Sequence, residues 1–542
     1  MIKIAAPAFA LLMSGFAAAQ NGSDQDQSAT LVGNLVDDCV VDFDPNAGVD
    51  YFPNKYSKPI IKSYGDRDIF GEKFVPHNTT DFLDIEYFNT YKIVTNLHQD
   101  PPKKYLLYQC GTQIPEDVDV DSFDLVTSVP HKGGLALTET PQIPYVELLG
   151  LRESIVAYIG DPFYVTSPCM THMMEGETPM IETVHNYSIQ EELIDDFRER
   201  NPDAIIVSGP SNNVVGEQVI VSSATQERTN VATFDWISFF AAFYNMEGEA
   251  NRITSNMQES YDCSSDVASF MAAEQRELEA EEGPTIMWAN YLTYQNLGWS
   301  VGECPTWDHA YYCEYATHCG ATVLTRPEGV GVNKTWGSPT VYWYLNDEEM
   351  LDMGMDADIL IYSGSDWNEI YALKNETLNK MKAVQNGQVY DVLGQGSSAW
   401  YEQRYAEYDV VGLDMCNIVG YAPASGHQNR WFRNVFTDPI GELEECDVLG
   451  GEISEPYVPP QQECVRPLIA PSDDAGSEDT LMPEPSASAD AGSEDAPMPE
   501  PAAPTSDEPF ATVPATTGLE SAATRPVTIG TATILAAVVF FL

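Results

Sequence analysis

The chain has 542 residues, 43% hydrophobic and 11% aromatic, enough to bury a sizeable core in more than one domain. Its 83 acidic residues against 26 basic ones give a formal net charge of -57. That charge repels phosphate backbones and anionic lipid head groups at long range, which argues against nucleic acid as a partner.

The predicted elements, in chain order, begin with residues 1–19. Lys3, a short apolar run and Ala17-Ala18-Ala19 have the layout of a cleaved secretory signal. Residues 20–84 read as an N-terminal extension and 85–232 as a first α/β lobe. Its expected strands are Tyr91–Val94, Tyr105–Cys110, Asp124–Val129, Ser154–Gly160 and "AIIVSG" at Ala204–Gly209, interleaved with helical patterns.

Residues 233–279 read as one long helix joining two lobes. Thr233 is placed as its N-cap, and Trp236, Ile237, Phe240, Ala241 and Tyr244 lie on one stripe that Ala250, Ile253 and Met257 continue. A second α/β lobe follows over 280–447, with strands expected at Pro284–Asn290, Ala321–Thr325, "DILIYSG" at Asp358–Gly364 and Gln388–Val392.

"PDAIIVSG" at Pro202–Gly209 and "ADILIYSG" at Ala357–Gly364 say nearly the same thing in the two lobes. They read as equivalent core strands, each delivering a Ser-Gly turn to a shared crevice beyond the strand ends, where α/β sheets bind ligands.

Residues 448–523 turn to Pro, Ala, Ser, Asp and Glu, and "DAGSEDTLMPEP" is echoed by "DAGSEDAPMPEP". Such a segment is expected to be an extended, self-repelling stalk. The apolar residues 524–542 follow Ser521-Ala522-Ala523 and a short spacer, a pattern that fits either a GPI signal with attachment at Ser521 or a single-span anchor. Sequons at Asn21, Asn78, Asn186, Asn333 and Asn375 agree with a secretory route to the outer face of the plasma membrane. The ten cysteines then read as disulfides, with at least one local bridge among Cys304, Cys313 and Cys319.

Catalytic motifs are scarce. There is no Gly-x-Ser-x-Gly elbow, P-loop or His-Glu-x-x-His. "CMTHMM" at Cys169–Met174 and the group His309, Cys313, His318 and Cys319 leave open a metal site or a secreted enzyme, although oxidised cysteines are no ligands. Aromatic residues gather near predicted strand ends, and Trp288 and Trp367 stand out because each borders an apolar run in a loop-like context.

Six segments in order carry a resemblance: "TPQIPYVELLGLRESIVAYIG", "NPDAIIVSG", "FDWISFFAAFYNMEGEANRI", "DADILIYSG", "KAVQNGQVYDV" and "EYDVVGLDMCNIVGYAP". They cover most of Glu86–Pro423. The chain resembles the vitamin B12 and iron-siderophore family of periplasmic binding proteins, class III, whose two Rossmann-like α/β lobes are joined by one long helix. Together with "DYFPNKY", "EYFNTYKIVTN" and "YLLYQCG", the secretion signal, sequons and anchored tail make it similar to the cobalamin acquisition proteins of eukaryotic algae, diatoms in particular.

That resemblance implies a non-catalytic surface protein that captures cobalamin as transported ligand, uses no cofactor and hands its cargo to an uptake receptor or transporter. A ferric-siderophore receptor of the same fold is the alternative. The expected ligand-binding residues are Thr138, Glu139, Asp161, Phe163, Tyr164, Ser208, Gly209 and Ser211 from the first lobe. From the second they are Trp288, Tyr291, Trp343, Ser363, Trp367, Ser398 and Trp400. The connecting helix implies a small closing motion.

Overall fold

A computed structural model describes residues 38–52 and 80–466, apart from 177–178, 185–190, 211–213, 215, 280–282, 294–296, 305–309, 334–341, 422–425, 444, 447–451 and 461–463. The signal segment, Asn21, Asn78, Asn186, Ser211, His309, Ser521 and the tail beyond Arg466 lie outside the described residues. Among the described residues no helix is long and apolar enough to cross a membrane.

The chain folds as the expected two-lobed α/β architecture. Its first strands, β1 (Leu83–Tyr87), β2 (Tyr91–Asn96), β3 (Lys103–Gln109) and β4 (Leu125–Val129), form a sheet of their own in that order. They do not join the parallel sheet of the first lobe. That sheet is built from β5 (Leu135–Leu137), β6 (Ile155–Ile159), β7 (Glu182–Val184), β8 (Ile205–Ser208) and β9 (Val219–Val221), in the order β7-β6-β5-β8-β9, with every pairing parallel. Helices α1 (Ile143–Leu148), α2 (Pro168–Met174) and α3 (Glu191–Arg200) supply the crossovers. Ile194 and Phe197 of α3 pack with Ala136, Ala157 and Ile206 of the sheet.

The expected connecting helix breaks into three: α4 (Asn230–Asp235), α5 (Ile237–Ala242) and α6 (Glu247–Glu279). Thr229, not Thr233, caps α4 by accepting from the Ala232 amide at 3.1 Å, while the Thr233 hydroxyl donates inside the helix to the Thr229 carbonyl. The second break has a tertiary cause. Asn245 takes a φ of 58°, a left-handed conformation that Asn tolerates better than most residues. Its buried side chain accepts from Lys92 at 3.0 Å and donates to Gln109 at 2.9 Å. Lys92 also pairs with Glu247 at the start of α6, both fully buried, so the four-stranded sheet fixes where the long helix begins.

The second lobe holds β10 (Thr285–Leu292), β11 (Gly298–Gly302), α7 (Tyr311–His318), β12 (Thr322–Val323), β13 (Val332–Asn333), β14 (Tyr342–Leu345), α8 (Asp347–Gly354), β15 (Ile359–Tyr362), α9 (Trp367–Leu378), α10 (Lys382–Gln385), β16 (Val389–Asp391), α11 (Tyr408–Val419) and β17 (Arg433–Asn434). Strand order is β13-β14-β11-β10-β15-β16-β17, with β12 beside β10. Strands β10, β12, β15 and β16 run parallel, and the edges are antiparallel. The sequon residue Asn375 is exposed on α9.

Five disulfides join Cys39 to Cys110, Cys169 to Cys446, Cys263 to Cys464, Cys304 to Cys313 and Cys319 to Cys416. The last segment does not leave the head at residue 448, where composition places the stalk. Arg152 donates to the Glu452 and Glu455 carbonyls at 2.5 and 2.7 Å, and the Tyr457 amide bonds the Glu147 carbonyl at 2.8 Å. Cys464 then pins the chain to α6, and Arg466 pairs with Asp266 at 2.7 Å. The compact unit therefore reaches Arg466.

Candidate functional site

The two Ser-Gly turns stand at the carboxyl ends of β8 and β15, each beside a neighbouring strand whose polar side chain crosses the glycine. A Cβ on Gly209 would lie 1.8 Å from a Glu139 carboxyl oxygen, and one on Gly364 would lie 2.3 Å from the Asn290 amide oxygen. Glycine is needed in both turns because only a missing side chain leaves room for that crossing group. Glu139 is held by a capping box: its carboxyl accepts from the Gln142 amide, and the Gln142 side chain accepts back from the Glu139 amide at 3.4 Å. Thr138 lies one residue before it, its amide bonded to the Val207 carbonyl at 3.2 Å.

Expected hydroxyl contacts divide. The Ser208 hydroxyl is fully buried and donates to the Gly209 carbonyl at 3.1 Å, so it is spent on its own turn. Ser363 is buried with no hydrogen-bond partner for its hydroxyl among the described residues, while its carbonyl accepts from the Tyr401 hydroxyl at 3.2 Å. Ser398 is half-buried and opens the turn that carries Trp400 and Tyr401, its carbonyl accepting from the Tyr401 amide.

The tryptophans correct the sequence reading. Trp288 is not in a strand-end loop but inside β10, 0% exposed and stacked on Tyr312 with centroids 5.2 Å apart. Trp400, 1% exposed, lies 6.3 Å from Trp288 in the same aromatic layer. Trp367 begins α9, 2% exposed, and packs with Met287, Ala289 and Tyr362. Successive strand residues point to opposite faces, so Met287 and Ala289 turn away from the face that Trp288 occupies. Trp288 and Trp367 thus sit on opposite faces of one sheet and cannot cover the same ligand. Trp343 faces the Arg326 guanidinium at 3.1 Å from its centroid, and Tyr291 lies edge-on to Trp299 with Lys374 4.8 Å from its ring.

Phe163 is different. It is 70% exposed beyond the end of β6, in a turn fixed by the Asp161 carboxyl accepting from its amide at 3.0 Å, and Tyr164 meets it edge-on at 5.4 Å.

Across from this turn the second lobe presents residues that sequence reasoning passed over. Arg404 is buried among rings, 4.3 Å from the Tyr311 centroid, 4.5 Å from Tyr405 and 5.0 Å from Trp400. Tyr311, Tyr401 and Tyr405 are each only half-buried. The spacing of Tyr401, Tyr405 and Tyr408 in "WYEQRYAEYD" puts them on one helical stripe, which was the available signal. Neighbouring Glu402 reaches into the first lobe and accepts from the Thr166 and Ser167 amides at 2.8 and 2.7 Å. Burial pushes its carboxyl up to about 8.

Glu139, a first-lobe residue, acts electrostatically on both lobes. Burial pushes its carboxyl up to about 7. Its charge is felt by Tyr158 of the first lobe and Tyr405 of the second, and burial together with nearby acids raises both phenols. The structure therefore brings Thr138, Glu139, Ser208 and Gly209 together and sets them near Tyr405.

The cysteine and histidine grouping has no thiolate to offer: Cys313 and Cys319 are bridged to Cys304 and Cys416. The same holds where Cys169, Cys446 and Glu452 approach within 4.8 Å, since the two sulfurs are bonded to each other.

No protein-family model and no curated protein matches the chain. Among solved structures, the chain is similar to a periplasmic heme binding protein from Pseudomonas aeruginosa, at 10% identity and TM-score 0.39, covering 55% of this chain and 96% of that one. It is similar to the periplasmic vitamin B12 binding protein of Vibrio cholerae, at 13% identity and TM-score 0.32, covering 53% and 96%. A TroA-like periplasmic binding protein from Veillonella parvula matches at 14% identity and TM-score 0.36, covering 56% and 95%. At these scores the functional reading stands on this chain's own residues.

Proposed function

We propose that the chain is a non-catalytic binding protein that captures cobalamin or a related corrinoid in the crevice between its lobes. The observation that carries this reading is the crevice's chemistry: half-buried tyrosine rings, the exposed Phe163 and the acids Glu139 and Asp161, with the Arg404 guanidinium enclosed by aromatic faces. Rings offer large contact area at low entropic cost, and acids and phenols suit a rim of carboxamide N–H donors. A corrin is a wide macrocycle with such a rim. An anionic ferric complex would meet carboxylates there and a guanidinium already covered.

On this reading the protein is secreted, glycosylated and held at the outer face of the plasma membrane by its C-terminal segment, passing its ligand to an uptake receptor or transporter. The acidic chain and its two ends support that placement. Calorimetric titration with cyanocobalamin and with a ferric hydroxamate siderophore tests the ligand. Saturable heat with cyanocobalamin alone is expected; saturation with the siderophore alone would overturn the assignment.

A further inference from the structure

An asparagine in an Asn-x-Thr triplet takes an N-linked glycan at its side-chain nitrogen, and what the first sugar then meets depends on the neighbouring side chains. Asn375, in the triplet "NET", is exposed on α9 directly after Lys374, whose φ of -119° and ψ of 15° break the helical run. Its Nδ2 donates to the Ala372 carbonyl at 3.4 Å. An asparagine amide has two N–H groups and a glycan replaces one, so the other can keep that bond and hold the side chain. Tyr371 stands four residues before Asn375 and Asn379 four residues after it. The Tyr371 hydroxyl donates to the Asn379 amide oxygen at 2.8 Å, so its ring runs along the helix past Asn375. This ring belongs to a platform of three. Tyr371, half-buried, stacks on the buried Trp367 at 5.7 Å, and Phe436, 45% exposed beyond β17, meets both edge-on at 6.3 Å.

We propose that Asn375 carries an N-linked glycan whose first sugar packs on Tyr371 and Phe436 and covers these rings. The inference rests on the secreted, glycosylated reading and gives one sequon a structural role. A pyranose presents a face of C–H groups, which the negative face of an aromatic ring attracts, while its hydroxyls stay in water. In the modification the Asn375 Nδ2 forms a bond to C1 of the sugar of an oligosaccharide diphospho-lipid. The bond from C1 to the diphosphate oxygen breaks, and one amide proton leaves with the lipid diphosphate. A membrane transferase of the secretory route catalyses that exchange. Strands β15 and β16 are parallel, so α9 between them runs back from the crevice end of the sheet. Asn375, in its second half, therefore sets the glycan away from the ligand's path.

The test secretes the whole protein from a eukaryotic host and releases its N-glycans with an amidase in heavy-oxygen water, which turns each occupied asparagine into a labelled aspartate for peptide mass spectrometry. Label at Asn375 is expected in most of the protein, lost in Asn375→Gln and in Thr377→Ala and kept in Thr377→Ser. Trimming the glycan to its first sugar is expected to leave the thermal midpoint unchanged. Asn375→Gln is expected to lower it by about 2 °C, a loss that disappears when Phe436→Ser is present in both proteins. By NMR, the ring protons of the first sugar on Asn375 are expected upfield of those on the other sequons. No label at Asn375 while another sequon is labelled would overturn this inference alone. No label at any of the sequons would remove the glycosylated reading and this inference with it. An occupied Asn375 whose loss leaves the midpoint unmoved, or whose sugar protons match those elsewhere, would overturn the seat on the rings. So would a glycosylated wild type that dimerises through Phe436 and becomes monomeric in Phe436→Ser, since a second copy would then hold the platform.

Discussion

The Glu139 carboxyl fills the space that a Cβ on Gly209 would need, its Oε1 standing 1.8 Å from that position. The same relationship recurs in the second lobe between Asn290 and Gly364. The repeated Ser-Gly phrase therefore records a shared packing requirement. Gly209→Ala is expected to push the Glu139 side chain out of the crevice and weaken ligand binding. The overpacking cost to stability is about 1–3 kcal/mol. Titration beside urea denaturation checks both, and unchanged affinity in the folded variant would show that Glu139 does not depend on this turn.

The two kinds of aromatic residue should part company on mutation. Trp288→Ala empties a fully buried site and is expected to cost about 3–5 kcal/mol, so its loss of binding follows its loss of fold. Phe163→Ala removes an exposed ring and is expected to change stability by less than about 0.5 kcal/mol while weakening binding. A stable Trp288→Ala protein with a selective binding defect would restore the indole to the ligand site.

Stability should fall as pH rises. Burial pushes Glu402 up to about 8 and Glu314 and Asp409 up to about 7. In the unfolded chain such acids ionise near pH 4. Between those limits the folded state binds more protons than the unfolded one, so this contribution is complete at low pH and lost as pH climbs through the folded values. Thermal midpoints are expected to be higher at pH 5 than at pH 8, and Glu402→Gln should shrink the difference. An equal slope in the variant would remove Glu402 from the account.

The last described segment braces the head. Cys169 lies in α2 of the first lobe, and Cys446 follows the last strand of the second, 277 residues later. Replacing both by serine is expected to cost on the order of 3–5 kcal/mol. It should also raise amide exchange at Thr166 and Ser167, whose amides bond Glu402 of the other lobe. Protection there as in the wild type would mean the hydrogen bonds alone hold the lobes.

Much of this fold is legible in the sequence because apolar runs bounded by Pro, Gly and Asp mark strands reliably. Nine such runs appear as strands, from Tyr91 to Val392. The three-residue strand β5 escapes because "LAL" between Gly134 and Thr138 is too short to show a period. That Tyr91–Val129 belong to a separate sheet is equally invisible, since their β-branched and aromatic content matches that of the parallel strands. The break at Asn245 depends on Lys92 and Gln109, more than a hundred residues away. At the site, the Ser-Gly turns and Glu139 are readable from strand ends. The tryptophans mislead because composition does not say which face of a strand a residue takes, and Tyr401 and Tyr405 show only as a four-residue spacing within an otherwise polar stretch.

The most direct measurement is a crystal structure of the protein with cyanocobalamin. The account predicts the corrin between Phe163 and Tyr164 on one side and Tyr401 and Tyr405 on the other. A corrin seated elsewhere on the protein would contradict it.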